Sequence, residues 1–163
     1  MRICVPYTRL CDATKIFASY YDDQVKYVEL RDDPWDYTRY FQDRWDDGRT
    51  FINLEHDTVP WPGAPEVLMA CEKPWCVYGY TMKVEEKTGA SLGCTKFTDT
   101  FMAKLPDVWS DMLVCGHWPE DAWAHCDSWL YDYATARGVH PHLHLPSVLN
   151  ANPRYLRQPR PGP

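Results

Sequence analysis

The sequence predicts a single-domain α/β fold, three layers deep, in which a mixed and mostly parallel sheet lies between helices. Short apolar runs at Ile3 to Pro6, Val25 to Leu30 and Thr50 to Leu54 alternate with segments of helical periodicity. A strand–helix–strand succession of this kind joins parallel strands through right-handed crossovers. The 163 residues suit one core, and 45% hydrophobic content with 8 Trp and 11 Tyr supplies the apolar surface to fill it.

The elements follow in order. Ile3 to Pro6 turns polar at Thr8 and Arg9, as a buried strand does on entering a loop. Asp12 is placed to cap a helix with apolar positions Ala13, Ile16, Phe17 and Tyr20. After the strand Val25 to Leu30, Asp33 caps and Pro34 occupies the first turn of a second helix, whose face of Tyr37, Tyr40, Phe41, Arg44 and Trp45 runs to Gly48. The third strand, Thr50 to Leu54, leads directly into Glu55-His56-Asp57.

Pro60-Trp61-Pro62-Gly63 then forces a turn, and Pro65 to Cys71 forms a short helix before the strand Trp75 to Tyr80. Lys83 to Ser91 is polar and reads as a loop or hairpin end that closes over a ligand, and Leu92 to Phe97 is another strand. Thr98 caps a helix to Leu105. The longest helix spans Pro119 to Arg137, with Ala122, Cys126, Trp129, Tyr133 and Arg137 on one stripe and Gly138 as its stop. His140 to Pro146 is extended, because each proline biases its predecessor away from helix.

Residues 1–149 form the domain, and residues 150–163 form a Pro/Arg-rich tail in which Arg154, Arg157 and Arg160 alternate with prolines. A net charge of −6 argues against an extended nucleic-acid-binding face, while the tail arginines leave a nucleic-acid acceptor open. Seven cysteines, and an opening MRICVPYTRL without the apolar core of a signal peptide, point to a reducing cytoplasm. No apolar run approaches the roughly 20 residues that cross a bilayer.

Chemistry concentrates first on Glu55 and Asp57. In an extended backbone, residues two apart project to the same side, so both carboxylates form a small anionic claw while His56 points away. Two like charges so close favour either a shared proton or a divalent cation such as Mn²⁺ or Mg²⁺. On spacing alone the pair is equally a solvated acidic turn. His142 and His144 have the same spacing, so both imidazoles face one way on an extended segment.

The stretch TFINLEHDTVPWPGAPEVLMACEKPWCVYGY resembles the metal-binding region of glycosyltransferases with a minimal GT-A-type fold, whose nucleotide-binding half is Rossmann-like. The resemblance implies a D-x-D-type motif at Glu55-His56-Asp57, with Glu replacing the first Asp. It implies a nucleotide-diphospho-sugar donor, with Pro6, Tyr7, Thr8, Arg9 and Asp32 against the nucleotide and Glu55 also at the donor. Leu92 to Phe97 resembles the small-residue strand that follows in such enzymes, which places Gly93 and Cys94 at the substrate. The resemblance further implies His144 as a third metal ligand and an acidic base in or before the late helix. Asp127 is the first candidate for that base, with Asp121 and Glu120 behind it. The sugar, the acceptor, the stereochemical outcome and the oligomeric state are not specified.

A zinc set drawn from Cys71-x4-Cys76 with Cys115, His117, His125 and Cys126 has poor spacing, and buried reduced cysteines are the simpler reading. The deaminase pattern and the G-x-x-x-x-G-K-[ST] phosphate loop are absent. Beside a metal-dependent glycosyltransferase stand a non-catalytic nucleotide-sugar or metal-binding module and a metal-dependent phosphohydrolase.

Overall fold

The computed structural model describes residues 1–31, 33–81, 92–115 and 122–150. The three apolar runs become β1 (Ile3–Tyr7), β2 (Val25–Glu29) and β3 (Phe51–Leu54), paired in parallel with β1 in the centre. β4 (Thr58–Val59), β5 (Trp75–Thr81), β6 (Cys94–Phe97) and β7 (His142–Asn150) complete one sheet in the order β2-β1-β3-β6-β5-β7-β4. β6 runs antiparallel to both β3 and β5, β7 runs parallel to β5, and β4 runs antiparallel to β7. Five strands therefore share one direction and two oppose it, which is the mixed, mostly parallel sheet expected.

Helices cover both faces. On one lie α2 (Asp36–Asp47), α4 (Asp99–Lys104), α5 (Val108–Cys115) and α6 (Ala122–Thr135). On the other lie α1 (Asp12–Ser19) and α3 (Ala64–Ala70). The pleat divides each strand between the two cores. Phe51, Val77 and Phe97 enter the first, whereas Ile52, Leu54, Cys76 and Cys94 enter the second. The first core is aromatic: Phe41 stacks on Trp109 at 4.6 Å between ring centroids, and Trp45 meets Trp109 edge-on at 5.4 Å. The Trp45 indole is also satisfied, since its Nε1 donates to the Leu105 carbonyl at 3.1 Å.

Several local expectations shift. α1 buries Thr14, Phe17 and Ala18, and Tyr21 continues that face, while Ile16 and Tyr20 stand 62% and 79% exposed. The helix is rotated by about one residue from the hydrophobic stripe because its partners across the sheet face decide which side is dry. Cys11, not Asp12, precedes its first turn, and Asp12 pairs instead with Lys15 at 3.0 Å. α2 begins at Asp36, after Asp33 Oδ1 has accepted the Trp35 amide at 2.8 Å in a local turn. It ends as expected at Gly48, whose φ of 63° places it in the left-handed region.

Thr98 caps α4 through the Phe101 amide at 3.1 Å. α5 was not anticipated, although Val108, Trp109 and Met112 are its buried face after Pro106. On α6 the fully buried positions are Cys126, Leu130 and Ala134, with Trp129 and Tyr133 at the margin, and Arg137 lies beyond the helix with its guanidinium 3.5 Å from the centre of the Tyr133 ring. The expected start of this helix at Pro119, the Lys83 to Ser91 loop and the tail past Asn150 fall outside the described residues.

Truncating Phe17 to alanine removes a ring that is 6% exposed and is expected to cost about 3 kcal/mol or more. Ile16→Ala, one residue away on the wet side, should change stability by no more than ~0.5 kcal/mol. Urea denaturation of the two variants checks the orientation of α1, and equal losses would contradict it.

Candidate active site

Because β1, β2 and β3 are parallel, their carboxyl ends share one edge of the sheet, and the amino end of antiparallel β6 reaches the same edge. Ligands collect at such an edge because loops there are free of ladder hydrogen bonds. The Leu30 amide donates to the Tyr7 carbonyl at 2.8 Å, and the Glu55 amide donates to the Gly93 carbonyl at 2.9 Å, which stitches the strand ends together.

The approach to α2 is held by charge. Asp36 accepts from the Arg31 amide at 2.8 Å, from its guanidinium at 3.1 Å, and from Arg39 at 3.0 Å. The hydrogen bond from Arg31 holds the Asp36 carboxyl below the usual range despite its burial. With the helix start fixed, the next residue, Tyr37, donates its hydroxyl to Glu55 Oε1 at 2.7 Å. Beneath them Asn53 is fully buried. Its Nδ2 donates to the Leu92 carbonyl at 2.6 Å and to the Tyr37 hydroxyl at 3.3 Å, and its Oδ1 accepts from Tyr40 at 2.8 Å.

Asp127 comes to this spot from α6. Its neighbour Cys126 is buried in the aromatic core and lies 3.5 Å from Thr38 Oγ1 on α2, which fixes the rotation of the helix. Asp127 accepts from the Leu92 amide, yet burial and the facing Glu55 carboxylate hold its own carboxyl well above the ordinary range. The two carboxylates therefore form a coupled pair that favours one proton, or a cation, between them.

Other expected residues are distributed differently. Pro6 is buried inside β1, which continues through Tyr7, and Tyr7 meets Tyr27 edge-on at 6.4 Å. Thr8 and Arg9 are exposed at the bend that follows. Asp32 and Asp121 lie outside the described residues, as do Glu120 and His117. Cys94 faces the opposite core from Glu55, where burial raises its thiol, so only Gly93 of that pair touches the edge.

Glu55 and Asp57 are not on extended backbone. The Thr58 amide donates to the Glu55 carbonyl at 3.0 Å, closing a turn, and the His56 carbonyl accepts from Cys11 at 3.1 Å. The same-side premise thus fails, although Asp57 is close in sequence and only 8% exposed. The clearest correction concerns His144. Through the ladder it is level with Leu54 but three strands across, roughly 14 Å at about 4.8 Å per strand. It also shares the face of Tyr78 and Cys76, opposite to that of Glu55. His144 packs beside Tyr78, His142, Cys71 and Cys76, and does not complete a ligand set with Glu55 and Asp57.

Tyr37 and Asn53 were missed by sequence reasoning. The available signal was an asparagine inside the apolar run Phe-Ile-Asn-Leu, since a buried amide needs several partners. The oxygen donors of Glu55 and Asp127 suit a hard cation such as Mg²⁺ or Mn²⁺, and Asp127 is raised first by burial and then by the Glu55 charge, which such an ion would offset.

No protein-family model matches this chain, and no curated protein matches it. Among solved structures, it is similar to the crystal structure of a glycosyltransferase involved in the glycosylation of the major capsid of PBCV-1. The TM-score is 0.55 at 12% identity, over 88% of this chain and 81% of that one. The shared feature is the fold, a glycosyltransferase-like arrangement of a mixed sheet between helices.

Asp127 generates a stability prediction. An unfolded Asp carboxyl titrates near ~3.9, and the folded one keeps its proton to a higher pH. The folded chain then binds more protons than the unfolded chain, so this group lowers stability as pH rises above ~4 until its folded value is passed. Asp127→Asn should melt above the parent protein at pH 8, with the gap closing toward pH 4. Calorimetric melts across that range check it, and a variant that melts lower at pH 8 than the parent would contradict it.

Proposed function

We propose that this protein is a glycosyltransferase that takes a sugar from a nucleotide-diphospho-sugar donor in a reaction dependent on Mn²⁺ or Mg²⁺. The observation that carries this reading is the Glu55–Asp127 carboxylate pair at the carboxyl edge of a glycosyltransferase-like fold.

Glu55 and Asp57 would hold the cation, with the Tyr37 hydroxyl orienting the Glu55 carboxylate. When bound, the ion supplies positive charge to the diphosphate leaving group. Thr8 and Arg9 flank the donor on the β1 side, where Arg9 is exposed and available to a phosphate. Asp127 is the general base: it takes the proton from an acceptor hydroxyl as the oxygen attacks the anomeric carbon and the bond to the diphosphate breaks. A carboxylate whose conjugate acid is raised above the ordinary range is a stronger base than a free one, which suits that task. The same rise makes activity increase with pH as Asp127 loses its proton.

The full chain, incubated with a panel of nucleotide sugars and Mn²⁺, is expected to show a metal-dependent rise in melting temperature with its donor and slow release of free sugar to water. Asp127→Asn should keep the thermal shift and lose about 10²–10⁴-fold in turnover. Glu55→Ala and Asp57→Ala should lose the Mn²⁺-dependent shift. The reading fails if no nucleotide gives a metal-dependent shift, and release of phosphate from simple esters instead of sugar would identify a phosphohydrolase.

A further inference from the structure

On the other face of the sheet, four metal-binding side chains converge that the proposed active site does not use. Cys71 caps the end of α3, Cys76 is the second residue of β5, and His142 and His144 lie on β7 opposite Cys76 and Tyr78. One ligand atom from each lies within 4.8 Å of the others. Cys71 Sγ is 3.2 Å from His142 Nδ1, and the two imidazole rings are 4.6 Å apart between centroids. We propose that Cys71, Cys76, His142 and His144 bind one Zn²⁺ ion as a closed structural site that fastens the end of α3 and the start of β5 to β7.

Ligand chemistry selects the ion. Two sulfurs and two imidazole nitrogens are the soft and borderline donors of tetrahedral zinc, not the oxygens that Mg²⁺ and Mn²⁺ prefer. Bond lengths of about 2.3 Å to sulfur and 2.0–2.1 Å to nitrogen put tetrahedral ligands roughly 3.3–3.8 Å apart. The Cys71–His142 separation of 3.2 Å lies just under that range. The two sulfurs, at 2.6 Å, need to part by about 1 Å. All four positions come from protein, which leaves no open site for substrate.

The surroundings point the same way independently of spacing. His144 Nε2 is buried with no hydrogen-bond partner, a vacancy that a metal bond fills. Lys96 is only 3% exposed and donates to the Cys71 carbonyl, which places a cationic group beside the two sulfurs. Exposed His142 and half-buried Cys71 leave a route from solvent. Two thiolates balance the charge of one Zn²⁺, and the ion links residues some 70 positions apart along the chain.

The full chain, purified in the presence of a thiol reductant, is expected to carry one zinc per molecule by elemental analysis. Metal-free protein titrated with Co²⁺ should develop the intense visible bands of tetrahedral cobalt and sulfur-to-cobalt charge transfer. Chelation should lower the melting temperature by about 10 °C, and added Zn²⁺ should restore it. Cys71→Ser and His142→Ala, at the more exposed ligands, should lose the cobalt bands, whereas Glu55→Ala should keep them, which separates this site from the proposed catalytic one. Absence of zinc together with no cobalt bands in the unmodified chain would overturn the site. So would a Cys71–Cys76 disulfide in the freshly purified, unreduced protein by mass and thiol counting.

Discussion

Asn53 holds the candidate site together by an elementary constraint on buried amides. It is the one polar residue of β3 and is fully enclosed, so each hydrogen-bonding group must find a protein partner or cost about 1–3 kcal/mol. Its partners are Tyr37 and Tyr40 on α2 and the carbonyl of Leu92 before β6. One side chain thereby sets the height of a helix over the sheet and the position of a neighbouring strand. Tyr37 then presents its hydroxyl to Glu55, and the Leu92 amide meets Asp127. The Glu55 and Asp127 carboxylates are thereby brought within electrostatic reach of each other through neutral groups.

The layers on either side of the sheet have different consequences. The α2, α4, α5 and α6 face is filled by stacked and edge-on aromatic rings, and partial burial on that side raises the Asp127 carboxyl. The α1 and α3 face is built of smaller side chains with Tyr21 tied to Glu66 at 2.9 Å, and there Lys96 and the Cys–His cluster occupy the far side. Alternation along the strands separates the two chemistries. The carboxylates of Glu55 and Asp127 lie on one face, and the sulfur and nitrogen atoms of Cys71, Cys76, His142 and His144 lie on the other.

Much of the architecture was legible because it is local. Three apolar runs broken by helical periodicity, Gly48 as a left-handed stop and Thr98 as a cap each follow from a few adjacent residues. Errors arose where the decision was not local. Ile16 and Tyr20 are large and largely apolar like Phe17, and only the docking of α1 against β4 determines which of them stays dry. α5 lacked a strong start signal and is stabilised by α2 and α6.

The strand and helix succession and the acidic turn after β3 are legible in the sequence, because periodicity, caps and strand ends are written within a turn or two. Tertiary structure decided partners. It joined Glu55 to Asp127 through Tyr37 and Asn53, and it moved His144 to the opposite face beside Cys71 and Cys76. The physical reason lies in strand order and pleat: β6 and β5 insert between β3 and β7, and the side of the sheet that a side chain takes depends on register, which no spacing along the chain encodes.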